Sequence, residues 1–225
     1  MRKSLIILLV VLLAVPVVFA RKPKEKAGKV SDNVYIDNNY NFEFPLPEDW
    51  KYKIEEKKDN FRVIMTQVNY DIPADYIDAP DYTKIPRIVI YADTSSKSAQ
   101  VFLDSLVSET YNDDQKKNLM KEFEILNIRS GSSFTAEDLI TREKKNIDIA
   151  GERGRTWTGQ VKYRNEVATS ASSMGAKRVS GAYGGAIFAV QKDNRIILIH
   201  MICEWNYFED IYSELMKIVQ GLKLK

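Results

Sequence analysis

The chain has 225 residues, with 33 Lys and Arg against 31 Asp and Glu, one histidine and one cysteine. A single cysteine excludes an intrachain disulfide, so stability has to come from packing. The near-zero charge balance excludes the broad positive field that a nucleic-acid binder needs.

In chain order, MRKSLIILLVVLLAVPVVFA places Arg2 and Lys3 before an apolar run and ends on the small-residue pattern Val18-Phe19-Ala20. That is the layout of a secretory signal peptide over 1–20, and the chain is expected to be secreted or periplasmic. An uncleaved anchor is the alternative. The run from Leu5 to Ala20 is 16 residues, short of the roughly 20 that span a bilayer, and Pro16 interrupts it. No cysteine follows the run, which excludes a lipoprotein anchor. Loss of 1–20 removes two bases and no acid, leaving 31 of each sign. Residues 21–33 read as a basic linker, and 34–225 as a single domain large enough for a substantial core. Twelve tyrosines among the aromatics suit a β-rich domain.

YNFEFPLPEDW alternates at Tyr40, Phe42 and Phe44, the period of a half-buried strand. Pro45 and Pro47 end its pairing, because neither donates a ladder hydrogen bond, and Trp50 follows at the turn. FRVIMTQV (61–68) and IPRIVIYA (85–92) read as strands. Two helices are expected next. The first buries Ala99, Phe102, Leu103 and Leu106, with Ser95 or Ser96 as N-cap, and the second, over 113–126, buries Leu119, Met120, Phe123 and Leu126. Thr135-Ala136-Glu137-Asp138 resembles a capping box for a short helical turn. Residues 147–164 read as two strands joined around Gly151 to Gly154. Residues 186–203 read as a hairpin turning at Asp193-Asn194. Its second strand, Ile196 to Cys203, is apolar on both parities, as a central strand covered on both faces would be. Asn206 then caps a helix with Ile211, Leu215, Ile218, Val219 and Leu222 on its buried stripe, ended by Gly221. The order predicts an α+β fold, a central antiparallel sheet flanked by helices.

Three stretches carry a family resemblance. YNFEFPLPEDW is an aromatic strand ending in a proline turn and Trp, and IDIAGERGRTWTG is a strand, a glycine turn and a second strand. The segment from Ala186 to Lys225 is a hairpin, a long helix and a short final strand. Together they resemble the PsbP-like family. The resemblance implies a PsbP-like α/β/α sandwich in which the 40–50 stretch builds the first edge of the core. Thylakoid members are non-enzymatic subunits of a large membrane complex, and relatives of the same fold bind protein partners. The chain departs from the photosynthetic type at 69–84 and 165–185, so no photosystem role carries over.

His200 is the sole histidine, so every serine or cysteine triad would have to use it. With a strand period of two it shares a face with Ile196, Leu198 and Ile202, whereas Cys203 faces the other way, which excludes a Cys–His dyad from this strand. His200 is expected to be packed, and Cys203 to be a small core hydrophobe. No metal is expected: zinc is excluded by one His and one Cys on opposite faces. Asp71, Asp75, Asp78 and Asp81 offer oxygen ligands for calcium, but not at EF-hand spacing. The Ser, Ala and Gly-rich 165–185 stretch lacks a phosphate-loop order and reads as a flexible connection.

The strongest functional signal is the loop YDIPADYIDAPDY. Its prolines stiffen the backbone and its tyrosines offer contact area with a polar tip. Tyr70, Asp75, Tyr76, Asp78, Asp81 and Tyr82 are the expected contact residues for an envelope protein or glycan partner, the same loop serving otherwise as a lid on the sheet. The expected function is a non-enzymatic binding or assembly module without a cofactor. The alternatives are a secreted carboxylate-based hydrolase and a plain structural module of an envelope assembly.

Overall fold

The computed structural model describes residues 24–67, 86–107, 134–167 and 177–225. The elements in order are β1 (Lys29–Ser31), β2 (Val34–Asp37), β3 (Phe42–Pro45), β4 (Trp50–Ile54), β5 (Phe61–Gln67), β6 (Arg87–Thr94), α1 (Ala99–Leu106), β7 (Phe134–Ile149), β8 (Glu152–Val167), β9 (Lys177–Lys192), β10 (Arg195–Glu204), a 3-10 turn (Trp205–Tyr207), α2 (Phe208–Gly221) and β11 (Lys223–Leu224). They form a seven-stranded sheet in the order β4-β5-β6-β10-β9-β8-β7 and a four-stranded sheet in the order β1-β2-β3-β11.

This overturns the expected central sheet flanked by helices: the fold is β-rich, with two sheets and two α-helices among the described residues. Two local signals were outweighed by pairing. Thr135 to Asp138, which resembles a capping box, lies inside the 16-residue β7. Local capping chemistry loses there to a ladder with β8 that runs from Phe134↔Asn165 to Ile149↔Glu152. The 165–185 stretch is strand at both ends, since β8 continues to Val167 and β9 begins at Lys177. The aromatic run at 42–44 is the half-buried strand its alternation predicts, with Phe42 and Phe44 in the core, and it belongs to the small second sheet. Folded structure also begins upstream of Val34, because Lys29–Ser31 pair with β2 and Ala27 is buried. The helix expected over 113–126 lies outside the described residues.

Other elements follow the residue patterns closely. The hairpin β9–β10 turns at Asp193 and Asn194, both at positive φ (48° and 60°), the left-handed pair that a tight hairpin requires. The β7–β8 turn sits at Ala150 and Gly151, with φ of 52° and 79°. β10 is buried along eight consecutive residues. Its odd-numbered side chains, Ile197, Ile199, Met201 and Cys203, face α2 and the small sheet. Its even-numbered side chains, Ile196, Leu198 and Ile202, face α1. α1 is capped by Ser98, whose Oγ accepts from Val101 N at 3.3 Å, and not by Ser95 or Ser96. Arg155 ties α1 to the sheet by a two-pronged pair with Asp104, Nε to Oδ1 at 3.0 Å and Nη2 to Oδ2 at 3.0 Å. α2 starts at Phe208 after the 3-10 turn, which holds Asn206 inside it, so Asn206 is not the cap. α2 buries Phe208, Ile211, Leu215, Ile218 and Val219, each contributing about 2 kcal/mol by removal from water.

Candidate functional site

The groups with chemical potential are found first in the core. His200 is buried on the α1 face, as its parity predicts, and burial together with nearby Arg87 pulls its pKa down to about 3. It is a neutral imidazole at physiological pH. Cys203 is buried on the opposite face, and desolvation pushes its thiol up to about 12. A thiol so poised is inert, since the thiolate is the nucleophile.

A second buried cluster joins the two sheets. β5 carries a bulge: Phe61 pairs with Tyr91 and Val63 with Ile90, so Arg62 is the extra residue. The bulge turns Arg62 toward the small sheet, where Nε donates to Asp37 Oδ2 at 2.6 Å and both side chains are 0% exposed. Nη1 donates to the carbonyls of Lys57 and Asp59, and Nη2 to that of Ala27. The ring of Tyr40 lies 4.9 Å from the guanidinium carbon. Asp37 also accepts from Tyr35 OH, Asn39 N and Tyr40 N at 2.9–3.0 Å. Every oxygen and nearly every donor is matched, the condition under which a buried ion pair is tolerated. Burial and the adjacent Asp37 carboxylate raise the Tyr35 pKa far above the phenol range. The cluster fixes architecture and offers nothing to a ligand.

The surface with ligand character lies at one end of the large sheet. Thr141, Gly159, Gly185, Ile202 and Arg87 stand opposite one another on successive strands from β7 to β6. Just beyond that row β10 ends, and the 3-10 turn presents Trp205 and Tyr207, 37% and 46% exposed. Ile140 on β7 is 41% exposed. It faces the α2 side, because it lies opposite Gln160, which lies opposite Gly184, which lies opposite Cys203. A second bulge interrupts β7: Thr141 pairs with Gly159 and Glu143 with Thr158, leaving Arg142 as the extra residue. That bulge aims Arg142 over the indole of Trp205, 5.9 Å from the ring centroid, with Nη1 at 3.5 Å from Glu209 Oε1. Trp205 in turn packs on Phe208 at 5.4 Å between ring centroids. Gly184 makes room for that ring: a Cβ there would lie 2.5 Å from Phe208 Cδ2.

Tyr70, Asp75, Tyr76, Asp78, Asp81 and Tyr82 all lie outside the described residues. So do the four aspartates considered for calcium. The strand ends that bracket the loop are described, however. β5 ends at Gln67 and β6 begins at Arg87, at the same end of the sheet as the Trp205 turn. The described chain begins and finishes at the opposite end. There Lys57 N donates to Glu25 O and the side chain of Arg195 donates to the carbonyl of Lys225. Arg142, Trp205, Tyr207 and Ile140 were not singled out from sequence. The available signal was the Trp-Asn-Tyr run directly after an apolar strand, which reads as the start of a helix. The bulge that aims Arg142 has no sequence signature. Among the described residues no group of three or more His, Cys, Asp or Glu is placed to hold a metal ion. Among them, too, no helix is long and apolar enough to cross a membrane.

No family model matches the chain, and no sequence among the curated proteins matches it. Solved structures do show similarity. The solution structure of cyanobacterial PsbP (CyanoP) from Synechocystis sp. PCC 6803 is 12% identical with a TM-score of 0.47, over 88% of this chain and 96% of that one. The Saccharomyces cerevisiae Ran-binding protein Mog1p is 8% identical with a TM-score of 0.42, over 87% of this chain and 96% of that one. At these values the likenesses assign neither a family nor an activity, and the function of this chain is argued from its own residues.

Proposed function

We propose that the chain is a non-enzymatic binding or assembly module of the cell envelope that meets a protein partner through the Trp205 end of its large sheet. The observation that carries this reading is the exposed Trp205 beneath Arg142, with Tyr207 exposed on the same turn and Ile140 exposed two residues before Arg142 on β7. Trp, Tyr and Arg are the residue types that dominate binding energy at protein interfaces, and fixed rings lose little entropy on contact. β5 ends and β6 begins at this end of the sheet, and Tyr76 and Tyr82, from the sequence between them, are proposed as further contacts. The apolar run over 5–20 supports an envelope location.

The shifted carboxylates do not resemble hydrolytic acids. Glu43 and Glu56 are both held below the usual carboxylate range, first by hydrogen bonds from Lys225 and Lys24 respectively. A general acid at neutral pH needs the reverse shift. The test is photocrosslinking in the native envelope with the probe at Tyr207 or Tyr76 and a control probe at Lys58, which is exposed at the opposite end. A discrete adduct from the first two positions alone is expected. Equal adducts from Lys58, or none from either contact position, would remove this end of the sheet as the contact surface.

A further inference from the structure

The Arg142–Trp205 pair specifies what it receives. A guanidinium carries five N–H donors in a rigid fork and no acceptor, and an indole carries one N–H donor and no acceptor. Both groups are exposed on the same side of the sheet end, and together they call for a ligand that only accepts. Arg142 spends one nitrogen on Glu209, 3.5 Å away, in a pair whose side chains are 60% and 79% exposed. Such a pair contributes little and exchanges readily for another carboxylate. The guanidinium carbon lies 5.9 Å from the Trp205 ring centroid, and the nitrogens not spent on Glu209 can make a two-pronged contact beside the indole. Among the described side chains, the other charged groups that β7 turns to this face are Glu143 and Lys145, which neutralise each other at 2.8 Å, and Asp210 stands exposed beside Glu209 in the first turn of α2. Glu204, at the end of β10, lies opposite Tyr183, on the α1 side of the sheet.

We infer that the partner segment received here is acidic: a stretch of protein chain whose Asp or Glu carboxylate takes the free edge of Arg142 and the indole N–H of Trp205, while its neighbours cover Ile140 and Tyr207. This rests on the reading of the Trp205 end as the contact surface. The bulge puts Arg142 and Glu143 on the α2 face together, where strict alternation would put only one of two neighbours.

Three tryptophans make the site directly observable, because Trp157 is 0% exposed, Trp50 8% and Trp205 37%. Quenchable fluorescence therefore comes from Trp205. The full chain is taken in a mild detergent that keeps residues 1–20 in solution, at physiological salt. Each ion's quenching is taken relative to its quenching of free N-acetyltryptophanamide, and on that scale iodide is expected to exceed caesium about threefold, because Arg142 concentrates anions at the indole. A decaglutamate peptide is expected to bind saturably and to shield Trp205 from iodide, whereas decalysine does neither. Arg142→Gln abolishes the iodide preference and weakens decaglutamate about fivefold or more. Arg142→Lys keeps the charge but loses the fork, and falls between. Lys58→Gln removes the same charge at the far end of the molecule and leaves both readouts unchanged. Equal quenching by the two ions on that scale, decaglutamate binding unaltered in Arg142→Gln, or preferential binding of decalysine overturns the inference. If the Tyr207 crosslink still forms after such a result, only the acidic chemistry falls. If decaglutamate binds through Arg142 while no crosslink forms, the acidic site stands and the envelope-partner reading falls.

Discussion

Asp37 and Arg62 join the two sheets through a bond with no solvent on either side, and replacing Asp37 by Asn tests whether that bond holds the small sheet in place. The amide keeps the shape of the carboxylate and still accepts from Asn39 N and Tyr40 N. It removes the only charge balancing Arg62 at Nε, 2.6 Å away, and turns a donor toward either Arg62 or Tyr35 OH. A guanidinium left buried without its anion costs about 3–5 kcal/mol. For a domain of this size each kcal/mol moves the Tm by about 2–4 °C, so a fall of about 10 °C is expected. Urea unfolding followed by circular dichroism measures the loss, and an unchanged m-value confirms that the unfolded state is not the source. Arg62→Met costs a similar amount alone, because the carboxylate remains. The double variant Asp37→Asn/Arg62→Met loses less than the sum, since neither charge is then stranded. A single-variant loss below about 1 kcal/mol, or simple additivity in the double variant, would show that the cluster is incidental to the junction.

The remaining predictions concern the core and the contact end. His200 has its pKa lowered from 6.5 to about 3 in the fold. The unfolded chain therefore binds the extra proton below pH 6.5, and stability present above 6.5 is lost as pH falls toward 3. Between pH 7 and pH 5 this amounts to about 2 kcal/mol, absent from the pH profile of His200→Leu. Cys203, buried with its thiol near 12, is expected to resist iodoacetamide in the native protein and to react only in denaturant; labelling at the same rate in both would contradict its placement. Gly184→Ala drives a Cβ to 2.5 Å from Phe208 and is expected to cost about 1–3 kcal/mol by overpacking, read by thermal melting. The same substitution displaces the ring beneath Trp205, so Trp205 emission shifts with it.

What was legible in the sequence was what periodicity controls. β10 is apolar on both parities and is central, Asp193-Asn194 turns the hairpin, and the α2 stripe is buried where a 3.6-residue repeat puts it. His200 and Cys203 fall on opposite faces for the same reason. Signals resting on a few residues fared worse. Thr135 to Asp138 has the composition of a helix start, yet a long antiparallel ladder satisfies its backbone more completely than one helical turn would. The split into two sheets was not legible, because alternation at Tyr40, Phe42 and Phe44 shows that a strand is half-buried without showing which sheet it joins. The bulges at Arg62 and Arg142 were invisible for a related reason. A bulge is a mismatch between two strands, and neither strand alone records it. Both put an arginine on the same face as the residue that follows it, Val63 in one and Glu143 in the other, one arginine sealed in the core and one standing on the surface. The Arg142–Trp205 pairing therefore could not be assembled from sequence, where the composition of 70–82 was the stronger signal.

The two bulged arginines also sort the molecule into ends with different duties. Arg62 lies at the end where the described chain enters and leaves, bonded to the carbonyl of Ala27 and stacked near Tyr40, whose own carbonyl accepts from Arg195. Arg142 lies toward the end where β5 stops and β6 starts. Because the clusters share no side chain and sit at opposite ends of the sheet, their effects are expected to separate. Asp37→Asn should lower stability without altering decaglutamate affinity at temperatures where the protein remains folded, and Arg142→Gln should do the reverse. A stability loss in Arg142→Gln comparable to that of Asp37→Asn would mean that the second bulge, like the first, serves the fold.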